Sequence, residues 1–187
     1  MEEYLKRIAD ALERAFPLDP DTAFFEKADA FIWEPDRNHF SEVRSISTID
    51  ISLLKGMDKE IKQVSLNTKA FADGNLANNV LVWGARGMGK STLIKSVVKA
   101  TSSKNNTLKI IEVARDDIGQ MNSLLKIIKN LDKKFIIFCD DISFDDNETG
   151  YKSLKSVLDG GLIGGMQNVL VYATSNRRHL LSRKTEG

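Results

Sequence analysis

Apolar residues recur along the chain with two distinct spacings. Between Glu2 and Phe16, Leu5, Ile8, Leu12 and Ala15/Phe16 return every three or four positions with charges between them, which predicts an amphipathic helix. Pro17 and Pro20 stop it. A second short helix is expected from Asp21 to about Ala30, with Phe24, Phe25 and Ala28 inward. Phe31-Ile32-Trp33 then runs into a turn at Glu34-Pro35-Asp36, and His39 to Ile51 reads as part strand, part linker. After Gly56 the pattern becomes regular. Asp58 to Phe71 predicts a helix with Ile61, Val64 and Ala70/Phe71 on one face and Gly74 as its stop. Short apolar runs follow at 79–83, 108–113, 135–139 and 168–173, separated by helical stretches at 90 to about 100, 120–131 and 149–158. This alternation predicts an α/β chain of βαβ units, a parallel sheet with helices on both faces.

Composition narrows the classes. With 42% hydrophobic and 28% charged residues in 187, the chain is neither disordered nor collagen-like. Its longest apolar runs, Phe135 to Cys139 and Val169 to Ala173, fall far short of the ~20 residues of a bilayer-spanning helix, so no membrane role is expected. The first residues show no secretory leader, and the single cysteine suits a reducing compartment; the expected location is cytoplasmic. Net charge is +1, which gives no steering toward nucleic acid. That neutrality hides two opposed parts. Met1 to Asp50 carries 6 basic and 12 acidic residues and all three prolines, whereas the remainder carries 21 basic and 14 acidic. A boundary is therefore expected near Asp50, with a mainly helical, acidic segment over 1–48 and a core over 49–187.

Between the first regular strand and its helix stands Gly84-Ala85-Arg86-Gly87-Met88-Gly89-Lys90-Ser91, followed by Thr92, a full G-x-x-x-x-G-K-[ST] match in strand–loop–helix context. Glycines let successive backbone N–H groups face a phosphate unobstructed, and the helix N-terminus adds its positive end. Lys90 would reach the β- and γ-phosphates of ATP, and the Ser91 hydroxyl would ligate Mg2+. The glycine order G-x-x-G-x-G disfavours a dinucleotide reading.

Two further strands end in polar groups at the same sheet edge. Phe135 to Cys139 runs into Asp140-Asp141, where Asp140 is placed to hold Mg2+ and Asp141 to orient the attacking water. Cys139, inside an apolar strand, reads as inert core. Val169 to Ala173 runs into Thr174-Ser175-Asn176, where Asn176 would bond the γ-phosphate or that water. Other polar residues read as structural. His39 and His179 lack ligand partners at metal spacing, Asp145, Asp146 and Glu148 form a solvated acidic loop, and Lys152 and Lys155 lie on a polar helix face.

Together these elements resemble the AAA+ branch of P-loop ATPases, in which a phosphate loop, a Walker B strand and a strand ending in a sensor-1 Asn follow in this order. The resemblance covers Ile49 to about Leu180. Asp50 through Gly56-Met57-Asp58 resembles the family's N-linker, which packs on adenine, and Val157-Leu158-Asp159-Gly160 resembles the end of the helix after Walker B. The runs 77–84, 138–144 and 172–180 are similar to a bacterial AAA+ family that carries only a domain-of-unknown-function label.

The resemblance implies an ATPase core that binds Mg-ATP and hydrolyses it weakly or on oligomerisation, to remodel or load a macromolecular partner. The alternative is a nucleotide-dependent switch, loader-like, without turnover of its own. A small-molecule kinase is a third reading, disfavoured because no acceptor site or Arg-rich lid is visible. Two departures from the family pattern bear on the choice. Walker B ends Asp140-Asp141 in place of Asp-Glu, one methylene shorter. Few residues follow Asn176, so the fifth core strand, arginine finger and helical lid of the family are not expected in this sequence. Arg177 and Arg178 lie too close to sensor 1 to be assigned as fingers, which leaves a solvated or a phosphate-proximal role open to them, and Arg183 and Lys184 read as a basic tail.

Overall fold

A computed structural model describes residues 1–15, 20–143, 149–158 and 166–176 of the chain. The Arg177, Arg178, His179, Arg183 and Lys184 readings lie outside the described residues, as do those for Asp145, Asp146, Glu148, Asp159 and Gly160.

Six strands form one sheet: β1 (Ala30–Glu34), β2 (His39–Glu42), β3 (Val80–Trp83), β4 (Leu108–Val113), β5 (Lys134–Cys139) and β6 (Val169–Ser175). Their order is β2-β1-β4-β5-β6-β3, antiparallel only between β1 and β2. Helices α2 (Asp58–Ala72) and α3 (Lys90–Ser102) cover one face. Helices α4 (Met121–Ile128) and α5 (Thr149–Leu158) cover the other, while α1 (Glu2–Ala15) opens the chain. Adjacent strand residues feed opposite cores. Ile111, Ile137 and Val171 face α4, whereas Ile110, Ile136, Phe138, Leu170 and Tyr172 face α2 and α3. A strand buried on both faces has no polar side to alternate with, which is why β5 and β6 carry the apolar runs 135–139 and 169–173. The predicted α/β architecture, a parallel sheet with helices on both faces, is the one found, with strand and helix bounds within two or three residues.

The first fifty residues bring two differences. The helix expected over Asp21 to Ala30 is a single 3-10 turn, Phe24–Glu26, started by the Asp21 carboxylate accepting from the Phe24 N–H at 2.9 Å. The chain then enters β1, because Phe31 and Trp33 reach a buried aromatic cluster that only an extended backbone can fill. Phe25 sits at its centre, with ring centroids 4.9 Å from Phe31, 5.2 Å from Phe40 and 5.0 Å from Phe135 of β5. Phe25 is inward as expected; Phe24 and Ala28 pack against the same cluster. The shift in charge and proline at Asp50 does not coincide with an edge of the sheet, since β1 and β2 precede it, β2 pairing with β1 and β1 with β4.

The linker after β2 crosses to the other face. There the Ile49 N–H donates to Ser96 Oγ on α3 at 3.2 Å, and Leu54 and Met57 are buried against the start of that helix. Helix α1 keeps Leu5, Ile8 and Leu12 exposed along one stripe. Among the described residues no helix is long and apolar enough to cross a membrane.

Candidate nucleotide site

All parallel strands of a sheet deliver their following loops to one edge, and three of these loops meet here. Residues 84–89 leave β3, Asp140 and Asp141 leave β5, and Asn176 leaves β6. Between them lies a cleft of about 350 Å3 lined by Arg86, Gly87, Gly89, Lys90, Ser91, Thr92, Asp140, Asp141, Thr174 and Asn176. Of the residues predicted from sequence for this site, only Gly84, Ala85 and Met88 do not line the cleft; Gly84 and Ala85 act through their carbonyls.

The loop takes its shape from backbone that side chains resist. Gly87 and Gly89 have φ of 81° and 80°, the left-handed region open to glycine at no cost. Gly89 also caps α3, and the first intrahelical bond runs from the Leu93 N–H to the Gly89 carbonyl at 2.8 Å. The amides of Lys90, Ser91 and Thr92 therefore precede the hydrogen-bonded helix and remain available to an acceptor at its N-terminus. A Cβ at Gly89 would stand 3.4 Å from Leu54 Cδ2, so the linker is seated directly against the loop.

Lys90 is 7% exposed, and its ammonium is gripped by neutral oxygens. Nζ donates to the Gly84 carbonyl at 2.8 Å, the Ala85 carbonyl at 2.8 Å and Asn176 Oδ1 at 3.1 Å. The Asn176 amide nitrogen in turn donates to Asp141 Oδ1 at 2.5 Å, so one side chain joins Lys90 to Asp141. On the floor of the cleft, the Ser91 hydroxyl lies 2.5 Å from Asp140 Oδ1. A hydroxyl and a carboxylate on adjacent elements form a hard-oxygen pair of the kind that suits Mg2+ beside a phosphate chain. Asp141 is exposed and has a φ of 48°, uncommon for a residue with a side chain.

Cys139, immediately before this pair, is fully buried; burial first, then the nearby Glu112 charge, pushes its thiol up to about 12. It is core, as expected.

One site residue was not singled out from sequence. Thr174, 1% exposed, presents its hydroxyl to both Asp140 and Asp141 from the neighbouring strand. The available signal was positional: Cys139 pairs with Ala173, so the next residue on β6 lies beside the next residue after β5.

A family model described as a protein of unknown function, DUF815, matches residues 26–187. The chain belongs to the DUF815 family. The match begins at Glu26 and so takes in β1 and β2 together with the rest of the sheet and the 84–91 loop. Among solved structures, the DUF815 chain is similar to a RuvB variant from Thermotoga maritima at 22% identity and a TM-score of 0.52, covering 71% of this chain and 43% of that one. It is similar to the Orc1 protein of Aeropyrum pernix, solved in complex with DNA, at 17% identity and a TM-score of 0.51, covering 69% and 43%. Aquifex aeolicus DnaA bound to AMPPCP aligns at 18% identity with a TM-score of 0.49, covering 70% and 43%. The RuvB and Orc1 likenesses show the fold, that of AAA+ P-loop NTPases. The chain spans less than half the length of these structures. No curated protein matches it by sequence.

Proposed function

We propose that this DUF815 chain carries the nucleotide-binding core of an AAA+ ATPase, taking Mg-ATP in the cleft between the 84–91 loop and the ends of β5 and β6. Turnover is weak, or arises on self-association of the full-length protein, and serves to remodel or load a macromolecular partner. The observation that supports this most is the state of Lys90, a nearly buried ammonium held by three uncharged oxygens where β3, β5 and β6 converge. Such a cation is stabilised most by an anion, and phosphate oxygens fit the amides of the α3 N-terminus beside it.

In this reading Gly84 to Thr92 wrap the phosphates, and Lys90 contacts the β- and γ-phosphates. Ser91 and Asp140 hold Mg2+, which supplies charge neutralisation across those phosphates. Asn176 senses the γ-phosphate by exchanging a bond now made to Lys90 or Asp141. Asp141 orients the attacking water once Asn176 releases it, and the linker over residues 50–58 lies against adenine. RuvB and Orc1 act within their own systems; the partner of this chain is a separate question, and its near-neutral charge gives no reason to name nucleic acid.

A switch without turnover is favoured by one particular: Asp141 is a short carboxylate already engaged by Asn176 on a constrained backbone. Asp141→Asn separates the readings. ATP binding is expected to persist while steady-state phosphate release disappears. Equal phosphate release from wild type and variant would remove Asp141 from the chemistry, and tight binding with no release from either would establish the switch. Mass measurement of the full-length protein with and without ATP tests nucleotide-dependent assembly.

A further inference from the structure

Thr174 is the penultimate residue of β6, buried at 1% exposure, and it touches the Asp140–Ile142 turn at three points. Its hydroxyl oxygen accepts from the Asp141 N–H at 2.8 Å and lies 2.5 Å from Asp140 Oδ1. Its carbonyl accepts from the Ile142 N–H at 2.8 Å. A hydroxyl has one proton to give. Because the Asp141 N–H is itself a donor, the threonine proton has to go to the Asp140 carboxylate, which fixes the hydroxyl's orientation without ambiguity.

Three groups therefore converge on Asp140 Oδ1: the Thr174 hydroxyl, the Asp141 N–H at 3.0 Å and the Ser91 hydroxyl at 2.5 Å. Thr174 differs from the other two. Ser91 belongs to the phosphate loop and Asp141 to the turn after β5, whereas Thr174 is anchored in the sheet, paired in register with Val82 of β3. Its side chain is β-branched and stiff about χ1, so the oxygen is delivered from a fixed point. The carboxylate plane and the left-handed backbone at Asp141 are thus both referred to the sheet through one hydroxyl.

We propose that Thr174 is a positioning residue for the divalent cation: by orienting Asp140, and through it the Ser91 hydroxyl, it sets how strongly Mg2+ reinforces nucleotide binding. This rests on the Mg-ATP reading above and adds to it a residue outside the phosphate loop and the strand-end carboxylates. Phosphate contacts belong to Lys90 and the loop amides, so Thr174 acts on the metal-dependent part of affinity and leaves the metal-independent part alone.

The test is a titration with a fluorescent ATP analogue, in EDTA and in Mg2+, on the full chain. For Thr174→Val, affinity in EDTA is expected within about twofold of wild type. The strengthening produced by Mg2+ should fall about tenfold, the usual cost of removing an outer-sphere partner of a metal ligand. Thr174→Ser, which restores the hydroxyl, should recover it. Electron paramagnetic resonance of bound Mn2+ in the presence of ADP reads the same loss without any turnover. Should Thr174→Val fail to fold, Thr174→Cys keeps the volume with a weak donor and should lose most of the Mg2+ effect. Full Mg2+ strengthening in the valine or cysteine variant, or a serine variant as impaired as valine, overturns the proposal while leaving the nucleotide site standing. Absence of nucleotide binding by wild type overturns both.

Discussion

Lys90 and Lys109 are nearly buried at opposite edges of one sheet, and they are satisfied in opposite ways. Lys90, at the edge where β3, β5 and β6 end, is held by two carbonyls and an amide oxygen. Lys109, on β4 at the edge where the strands begin, has a side chain 1% exposed and an acid beside it. Its Nζ lies 3.4 Å from Asp29 Oδ1 and 3.2 Å from Asn106 Oδ1, and Asp29 also binds Lys99 at 2.9 Å. A neighbouring pair, Lys133 with Glu26, ties the 3-10 turn before β1 to the start of β5. Burying an ammonium costs several kcal/mol unless a charge compensates it. At the Lys109 edge the compensating charge is part of the fold. Among the described residues, none is bonded to Lys90. The Lys109 arrangement holds the chain together; under the proposed function an anion would complete the one at Lys90.

The largest effect is expected from removing the compensation at the structural edge. Asp29→Ala leaves Lys109 with Asn106 alone and should destabilise the fold by about 3 kcal/mol, the order found when one partner of a buried pair is deleted. Urea denaturation measures it. Nucleotide affinity of the folded fraction should be unchanged, because Asp29 lies at the far edge from the cleft. A loss in binding comparable to the loss in stability would erase the distinction between the edges.

Lys90→Ala reverses the pattern. Removing an uncompensated cation costs the fold little, and the unfolding free energy should stay within about 1 kcal/mol of wild type. Affinity for ATP should fall about 100-fold or more, since charge-assisted bonds to phosphate are lost together with the Coulomb attraction. Calorimetric titration against ATP is the measurement. Unchanged affinity would mean that the neutral grip on Lys90 is its final state and that the cleft is no phosphate site.

Acid separates the edges again. At Asp29 burial works against the charged form, but the Lys99 hydrogen bond and charge, with Lys109 behind them, outweigh it and hold the carboxyl below its ordinary range. Glu26 is held down chiefly by its hydrogen bond from Lys133. A carboxyl whose native pKa is depressed contributes stability that is whole above the unfolded value, near 3.9 for Asp, and is lost as pH falls through the lower native value. Wild type should therefore lose stability below about pH 4, and Asp29→Ala should show a shallower acid limb in thermal melts. Parallel limbs would deny Asp29 its role.

How these two edges read from sequence differs for a physical reason. The loop over Gly84 to Thr92 is local: its glycine spacing is read from contiguous sequence, and all of its residues but Gly84, Ala85 and Met88 line the cleft. Asp140 and Asn176 were legible because each follows an apolar strand whose end must reach the same edge. Thr174 was not, since its partners come from another strand and only register brings them together. Nothing local to the run at 108–113 marks Lys109 as paired; that Asp29, eighty residues earlier, stands beside it depends on β1 pairing with β4. The same pairing hid β1 itself, because Phe31-Ile32-Trp33 is too short a run, too close to Pro35, to declare a strand without its aromatic partners.

The smallest expected effect is the one that tests the comparison most closely. Lys109→Met removes the buried charge together with the need to compensate it, and methionine fills similar space with an unbranched, adaptable chain. Asp29 keeps Lys99 at 2.9 Å and remains partly open to solvent, so it is not stranded in the way that Lys109 is stranded by Asp29→Ala. Stability should stay within about 1 kcal/mol of wild type, because replacing a buried ion by a well-packed apolar group is often neutral, whereas deleting its counter-ion is not. The asymmetry between Lys109→Met and Asp29→Ala is the signature of a compensated charge. Equal losses in the two variants would assign the cost to the ion pair's own attraction, and Lys109 would then be a source of stability and not a burden that Asp29 offsets.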